Sequence, residues 1–210
     1  YSDTVHQNFL NNLEFKLTNQ QQTVFSEIKN DLNQNYPMYR LLQGDVGSGK
    51  TVVAKQLAIA LQYSFVDLDI AIEEDQNLTL KQLFETKGEL YFRSKEKAVL
   101  NSLLDSTQDM VLALGGGTPC YGDVMQKLTN TQEVITIYLG AEIDTLTHRL
   151  FSQLQTRPLI SHISDKEVLC DFIRKHLFER SFYYHQAHYK IAVDQKPVQE
   201  IVREIVALLF

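Results

Sequence analysis

The chain has 210 residues, of which 44% are hydrophobic and 22% charged, proportions typical of a globular protein large enough for an α/β core. No apolar run approaches the roughly 18 residues of a membrane-spanning helix, so the sequence excludes a membrane span. The formal net charge of −6 disfavours nucleic-acid binding, because neutralising phosphates takes clustered lysines and arginines. Cys120 and Cys170 are too few for a disulfide framework and predict buried, reduced thiols in a cytoplasmic protein.

The first 38 residues predict a helical extension ahead of the main domain. Thr18 and Gln21 form a T-x-x-Q capping box, which is typical of a helix start. The apolar residues that follow the box fall on one side of a helix: Val24, Phe25, Ile28 and Leu32. We therefore predict two parts, an extra N-terminal helix within residues 1–38 and a domain formed by residues 39–210.

Residues 44–51 match the phosphate-binding pattern G-x-x-x-x-G-K-S/T at every fixed position. A short extended run, residues 39–43, precedes this loop, and an apolar helical stripe follows it. In such loops the backbone N–H groups converge on phosphate oxygens at the positive end of the following helix. Lys50 would reach the β- and γ-phosphates, and the Thr51 hydroxyl would bind Mg²⁺. The predicted nucleoside triphosphate site comprises Gly44, Asp45, Val46, Gly47, Ser48, Gly49, Lys50 and Thr51.

Strands and helices alternate after the loop. Further strands are predicted at 64–68, 110–114, 134–139 and 190–193. Helices are predicted at 78–84, 90–104, 141–150, 165–186 and from 197, whereas residues 151–164 show no clear period. With the run at 39–43 this pattern predicts a five-stranded, doubly wound parallel sheet flanked by helices. Ligands of such sheets bind beyond the carboxyl ends of the strands, where Asp67, Asp69 and the glycines at 115–117 fall.

Five short motifs lie in one order along this part of the chain. They are VDLD at 66–69, ETKGELYFR at 85–93, LGGGTP at 114–119, RPL at 157–159 and ER at 179–180. In these motifs the chain from residue 47 onward resembles shikimate kinase. The resemblance implies a P-loop NTPase of the nucleoside monophosphate kinase type, with ATP and Mg²⁺ as cofactors and shikimate as the small-molecule partner.

A second resemblance covers the N-terminal quarter. FKLTNQQ at 15–21 and RLLQGDVGSGKTVVA at 40–54 resemble a branch-migrating superfamily 2 DNA helicase of the RecG type. The two resemblances overlap at the phosphate loop, so we interpret the chain as a chimera, natural or engineered. No Asp-Glu-x-His or Asp-Glu-x-Asp box and no second motor domain follow, which excludes DNA unwinding.

Phosphoryl transfer depends on positioning and on charge neutralisation. Lys50 would neutralise charge on the γ-phosphate, while Thr51 and Asp67 would hold Mg²⁺, Asp67 directly or through water. Asp69 would orient the acceptor hydroxyl and take its proton. By resemblance, Arg157 lies in a lid spanning about 151–164 and closes onto the transferring phosphoryl group.

The resemblance also implies how shikimate is bound. Arg93 and Arg180 would bind its carboxylate, for which planar guanidinium groups are suited. Gly115, Gly116 and Gly117 would let the backbone approach the substrate ring. Arg149 is a weaker candidate for a place near adenine.

The predicted activity is ATP-dependent phosphorylation of the 3-hydroxyl of shikimate by a monomer, giving 3-phosphoshikimate and ADP. One alternative is a kinase for another small polyol acid such as gluconate. Another is a nucleotide-binding module that the helicase-like strand and loop have left catalytically impaired. Arg40 and Gln43 favour this reading, because a strand covered on both faces is expected to be rich in Val and Ile. A DNA-binding helicase remnant is disfavoured by the acidic charge.

Overall fold

The computed structural model describes residues 39–152, 154, 160 and 163–210, and this part of the chain contains five parallel strands and seven α-helices. The strands are β1 (Tyr39–Gln43), β2 (Ser64–Asp67), β3 (Met110–Ala113), β4 (Val134–Gly140) and β5 (Tyr189–Ala192). The helices are α1 (Lys50–Leu61), α2 (Leu68–Gln76), α3 (Leu80–Leu104), α4 (Val124–Asn130), α5 (Ile143–Phe151), α6 (Lys166–Tyr184) and α7 (Val198–Leu209). A short 3-10 turn, Thr118–Cys120, follows β3.

The strands form one sheet in the order β2-β3-β1-β4-β5. Every neighbouring pair is parallel, with Leu41 of β1 opposite Leu112 of β3 and Thr136 of β4. The predicted five-stranded parallel sheet flanked by helices is therefore confirmed. Because parallel strands end at a common edge, the loops after β1, β2 and β3 meet there. The predicted N-terminal helix lies outside the described residues.

Apolar side chains fill both faces of the sheet. On one face Leu42, Leu57 and Ile137 are fully buried in a layer with α1 and α7. On the other face Leu41 and Leu112 pack with α2, α3 and α4. Burial on both faces holds β1 between the two layers and fixes the point at which the phosphate loop begins.

Two of the five residues of β1 are polar and buried, as the sequence indicated. Arg40 and Gln43 are fully buried within β1. The Gln43 side-chain amide donates a hydrogen bond to the backbone oxygen of Tyr184 at 3.3 Å. Its Oε1 atom has no hydrogen-bond partner among the described residues, which lowers stability because a buried polar atom has lost water without a replacement.

Two helices were missed by the sequence analysis, α2 and α4. Helix α2 corrects the predicted position of Asp69. Asp67 ends β2 as predicted, but Asp69 lies in the first turn of α2 and not at a strand end. The Asp67 side chain caps this helix by accepting a hydrogen bond from the Asp69 backbone N–H at 3.1 Å. The predicted helices at 78–84 and 90–104 are the two parts of α3, which breaks at Gly88 (φ 79°, ψ 171°).

Both cysteines are free and half-buried, so the prediction of buried thiols was wrong in degree. Burial raises the pKa of the Cys120 thiol to about 11, which keeps it protonated at neutral pH. Within the residues that the structure covers, no helix is both long and apolar enough to cross a membrane.

Candidate active site

The phosphate loop forms the floor of the site. It leaves β1 at Gln43 and enters α1 through Gly49, whose φ of 84° favours glycine. No side chain caps the N-terminus of α1, so the positive end of this helix can face a bound anion. Arg149 of α5 donates hydrogen bonds to the carbonyl oxygens of Gly47 (3.3 Å) and Ser48 (3.4 Å), which stabilises the loop from outside.

A cavity of about 500 Å³ opens above this loop. Residues 46–53 line one side of it, and Asp67, Asp69 and Gly116 line another. Arg149 and Lys196 also line it. The volume is in the range of cavities that hold small-molecule ligands, so a nucleotide phosphate group and part of a second substrate can be accommodated.

Thr51 and Asp67 form the predicted metal position. The Thr51 hydroxyl lies 3.3 Å from Asp67 Oδ2, so two hard oxygen donors face the cavity together. No cluster of three or more acidic, histidine or cysteine ligands occurs among the described residues. This sparse donor set fits Mg²⁺, which keeps several waters and binds through one or two protein oxygens together with substrate phosphates.

The carboxyl group of Asp69 has a raised pKa. Burial raises its pKa from 3.8 to about 6, and the neighbouring Asp67 carboxylate adds to the rise, while Lys50 opposes it. Such a carboxyl group is ionised at neutral pH yet basic enough to share a proton with a hydroxyl. Its Oδ1 atom would lie 3.0 Å from a Cβ at Gly115, so it faces the backbone after β3.

Arg93 of α3 lies against the same glycine segment. Its Nη2 atom would be 2.8 Å from a Cβ at Gly117, so glycine is needed there for the close approach of the guanidinium. Arg93 Nη1 pairs with Glu96 Oε2 at 2.8 Å, and the other oxygen of Glu96 accepts a hydrogen bond from the Thr118 hydroxyl at 2.6 Å. Glu96, only 4% exposed, therefore orients Arg93 relative to the turn after β3.

Glu96 was missed by the sequence analysis, although a signal existed. An acid three residues after an arginine on one helix is placed to form an ion pair with it, and Glu96 has this spacing from Arg93.

Arg180 of α6 completes the arrangement. Its Nη1 atom would lie 3.3 Å from a Cβ at Gly116, and it pairs with Asp45 Oδ1 at 2.8 Å. The Tyr184 hydroxyl donates a hydrogen bond to the Gly116 carbonyl oxygen at 2.6 Å, which ties α6 to the segment. The side chain of Asp45, predicted to belong to the nucleotide site, thus contacts the predicted substrate arginine instead.

The structure brings the predicted residues together along three consecutive glycines. Asp69 faces Gly115, Arg180 faces Gly116 and Arg93 faces Gly117. Arg157 and most of the predicted lid lie outside the described residues.

Three features define the class of protein: the phosphate loop between the central strand and the first helix, the strand order β2-β3-β1-β4-β5 and the acid that ends β2. They are those of a P-loop NTPase of the nucleoside monophosphate kinase type. A family model described as shikimate kinase matches residues 46–210. The chain belongs to the shikimate kinase family, which uses ATP with Mg²⁺.

Individual relatives agree with this assignment. The shikimate kinase of Flavobacterium johnsoniae is 43% identical over 169 residues, which cover 80% of this chain and 97% of the relative. The crystal structure of shikimate kinase from Acinetobacter baumannii in complex with shikimate has a TM-score of 0.73 at 30% identity, covering 83% of this chain and 94% of that one. A gluconokinase from Sinorhizobium meliloti 1021 has a TM-score of 0.52 at 20% identity, covering 83% and 92%, and shares the fold alone.

The predicted shikimate kinase identity is therefore confirmed over residues 46–210. The helicase-like part of the prediction begins at residue 13, and residues 13–38 lie outside the described residues, so that interpretation stays a prediction.

Proposed function

We propose that the protein transfers the γ-phosphoryl group of ATP to the 3-hydroxyl of shikimate, giving 3-phosphoshikimate and ADP. The observation that carries this proposal is the set of three charged side chains on three consecutive glycines. One acid and two arginines face Gly115–117 beside the phosphate loop, which suits a substrate that has both a carboxylate and a hydroxyl to be phosphorylated.

The loop and its helix bind the triphosphate in this proposal. The uncapped N-terminus of α1 and Lys50 hold the γ-phosphate and neutralise the charge that develops on it. Thr51 and Asp67 would hold Mg²⁺, which when bound would neutralise further phosphate charge. The hydrogen bond between Thr51 and Asp67 keeps their two oxygens side by side, where both could bind the ion.

Asp69 acts on the acceptor. As the acceptor oxygen bonds to the γ-phosphorus and the bond from that phosphorus to the bridging oxygen of ADP breaks, the hydroxyl proton passes to the Asp69 carboxylate. The raised pKa of about 6 favours this transfer, because a carboxyl of ordinary pKa would be a weaker base.

Arg93 and Arg180 bind the substrate carboxylate from the two sides of the glycine turn. Glu96 holds the first arginine in place, and Tyr184 fixes the Gly116 carbonyl oxygen beside the second. When the shikimate carboxylate is bound here, the hydroxyl to be phosphorylated is held toward Asp69 and the phosphate loop. Phosphoryl transfer requires this positioning.

Several finer predictions join this proposal. Arg157 would close over the γ-phosphate as part of the lid, and the protein would act as a cytoplasmic monomer without nucleic acid. We also propose that residues 13–54 share an origin with RecG-type helicases. The support for this idea is the resemblance of the runs FKLTNQQ at 15–21 and RLLQGDVGSGKTVVA at 40–54.

The test is ADP release from Mg²⁺-ATP with and without shikimate. Lys50→Ala is the blank, and gluconate is the control acceptor. Turnover that depends on shikimate and is lost in Lys50→Ala supports the proposal, whereas turnover with gluconate would assign another polyol acid. Nucleotide binding with no turnover of either acceptor would instead indicate a catalytically impaired nucleotide-binding module.

A further inference from the structure

The carboxylate of Asp45 is held at two points. Its Oδ1 atom accepts a hydrogen bond from Arg180 Nη1 and another from the Val46 backbone N–H, both at 2.8 Å. The Asp45 side chain is 8% exposed and that of Arg180 is 23% exposed, so water screens this pair much less than a surface ion pair. Charge-assisted hydrogen bonds in such a setting are strong.

This pair occupies the place where the substrate carboxylate is expected. The Arg180 Nη1 atom that binds Asp45 is also the nearest atom to a Cβ built on Gly116, at 3.3 Å. Asp45 Oδ1 would be 3.7 Å from that same Cβ. A substrate carboxylate that approaches the glycine segment therefore meets an arginine that is already paired with Asp45. The negative charge of Asp45 would also lie beside the incoming carboxylate, and like charges placed together disfavour binding.

We propose that Asp45 sets the affinity for the acidic substrate, because its carboxylate binds Arg180 in the free protein and the substrate carboxylate must displace it. The inference rests on the proposed function, in which Arg180 binds shikimate. Asp45 belongs to the phosphate loop and is distant in sequence from Arg180, so the loop itself competes with the substrate for one guanidinium.

Asp45→Asn is the most informative variant. Asparagine keeps a side-chain oxygen that can accept the Val46 N–H, so the loop conformation is preserved, while the charge that competes for Arg180 is removed. We expect the KM for shikimate to fall about tenfold, the change that corresponds to about 1.4 kcal/mol. The KM for ATP should change less than twofold, a split that a general loss of structure would not produce.

Asp171→Asn is the matched control. Asp171 pairs with Arg174 on the same helix as Arg180, but both side chains are exposed, at 75% and 60%. Removing that charge should leave the KM for shikimate unchanged. A second control is the double variant Asp45→Asn with Arg180→Ala: if Asp45 acts through Arg180, the benefit of the asparagine should vanish when the arginine is absent.

The outcomes separate this inference from the proposed function. Shikimate-dependent turnover with an unchanged or higher KM in Asp45→Asn would mean that Asp45 positions Arg180, which overturns the inference and leaves the proposed function intact. Turnover in Asp45→Asn that exceeds the unaltered protein's at low shikimate supports both. No shikimate-dependent turnover in either protein overturns both.

A measurement on the unaltered protein covers the case in which the variant fails to fold. In a crystal structure with shikimate bound, Asp45 Oδ1 should lie more than about 4 Å from Arg180 Nη1, beyond ion-pair distance. An intact Asp45–Arg180 pair beside bound shikimate would overturn the inference.

Discussion

The protonation of Asp69 should control the rate of the reaction between pH 5 and pH 8. Burial and the Asp67 carboxylate raise the pKa of Asp69 to about 6. A group with that pKa is about 9% ionised at pH 5 and about 99% ionised at pH 8. If the ionised form is the base, kcat/KM for shikimate should rise about tenfold over this interval.

An aspartate with the usual pKa of 3.8 would behave differently. It is already about 94% ionised at pH 5, so the rate would change by less than a tenth over the same interval. The size of the pH effect therefore reports directly on whether burial has shifted this carboxyl group.

The assay is kcat/KM for shikimate at constant Mg²⁺-ATP, measured in steps of half a pH unit for the unaltered protein and for Asp69→Asn. The variant should be slower by about 100- to 10,000-fold, the usual contribution of a general base. Dividing one profile by the other removes the titration of ATP and of other groups. A ratio that stays constant from pH 5 to pH 8 would refute the role of Asp69 as the base.

Three further predictions follow from contacts in the site. Folding raises the pKa of Asp69, so the folded protein binds that proton more tightly than the unfolded chain, and the free energy of unfolding should fall as pH rises from about 4 to about 6. In urea denaturation at pH 7, Asp69→Asn should therefore be more stable than the unaltered protein by about 1–3 kcal/mol. An equally steep pH dependence of stability in the variant would contradict this. Glu96→Gln removes the charge that orients Arg93, so steady-state kinetics should show the KM for shikimate rising about tenfold. The control is Glu85→Gln, which breaks an exposed ion pair with Lys81 and should leave this KM unchanged. A lower KM in Glu96→Gln would mean that Glu96 competes with the substrate for the arginine. Gly117→Ala places a Cβ 2.8 Å from the Arg93 guanidinium, so kcat/KM for shikimate should fall about 100-fold. The nucleotide affinity, measured by calorimetry, should stay unchanged. Retained activity would show that the arginine can move aside.

The fold and the location of the site could be predicted from the sequence because they depend on local patterns. The phosphate loop is a contiguous motif, and the strands are short apolar runs bounded by polar residues. Helix α2 was missed for a physical reason. Val66, Leu68, Ile70 and Ile72 alternate with other residues, a pattern typical of a strand, and the Asp67 cap that ends the strand early is a single side chain.

The pairing of charges within the site could not be predicted in the same way. Asp45 and Arg180 lie on different elements, and their contact depends on how α6 packs over the glycine segment. Tyr184 is fully buried, and its hydrogen bond to Gly116 depends on the same packing. Long-range polar contacts of this kind leave no periodic signal in a single chain.

The position of β1 in the middle of the sheet has a consequence for how the protein is made. Its hydrogen-bonding partners are β3, which begins at Met110, and β4, which begins at Val134. A ribosome that has completed the phosphate loop has therefore not yet made either strand that holds it, and pairing over such sequence separations is slow compared with helix formation. ATP thus has no organised site on the nascent chain until β4 has emerged, so nucleotide binding can follow only after the three central strands have been made.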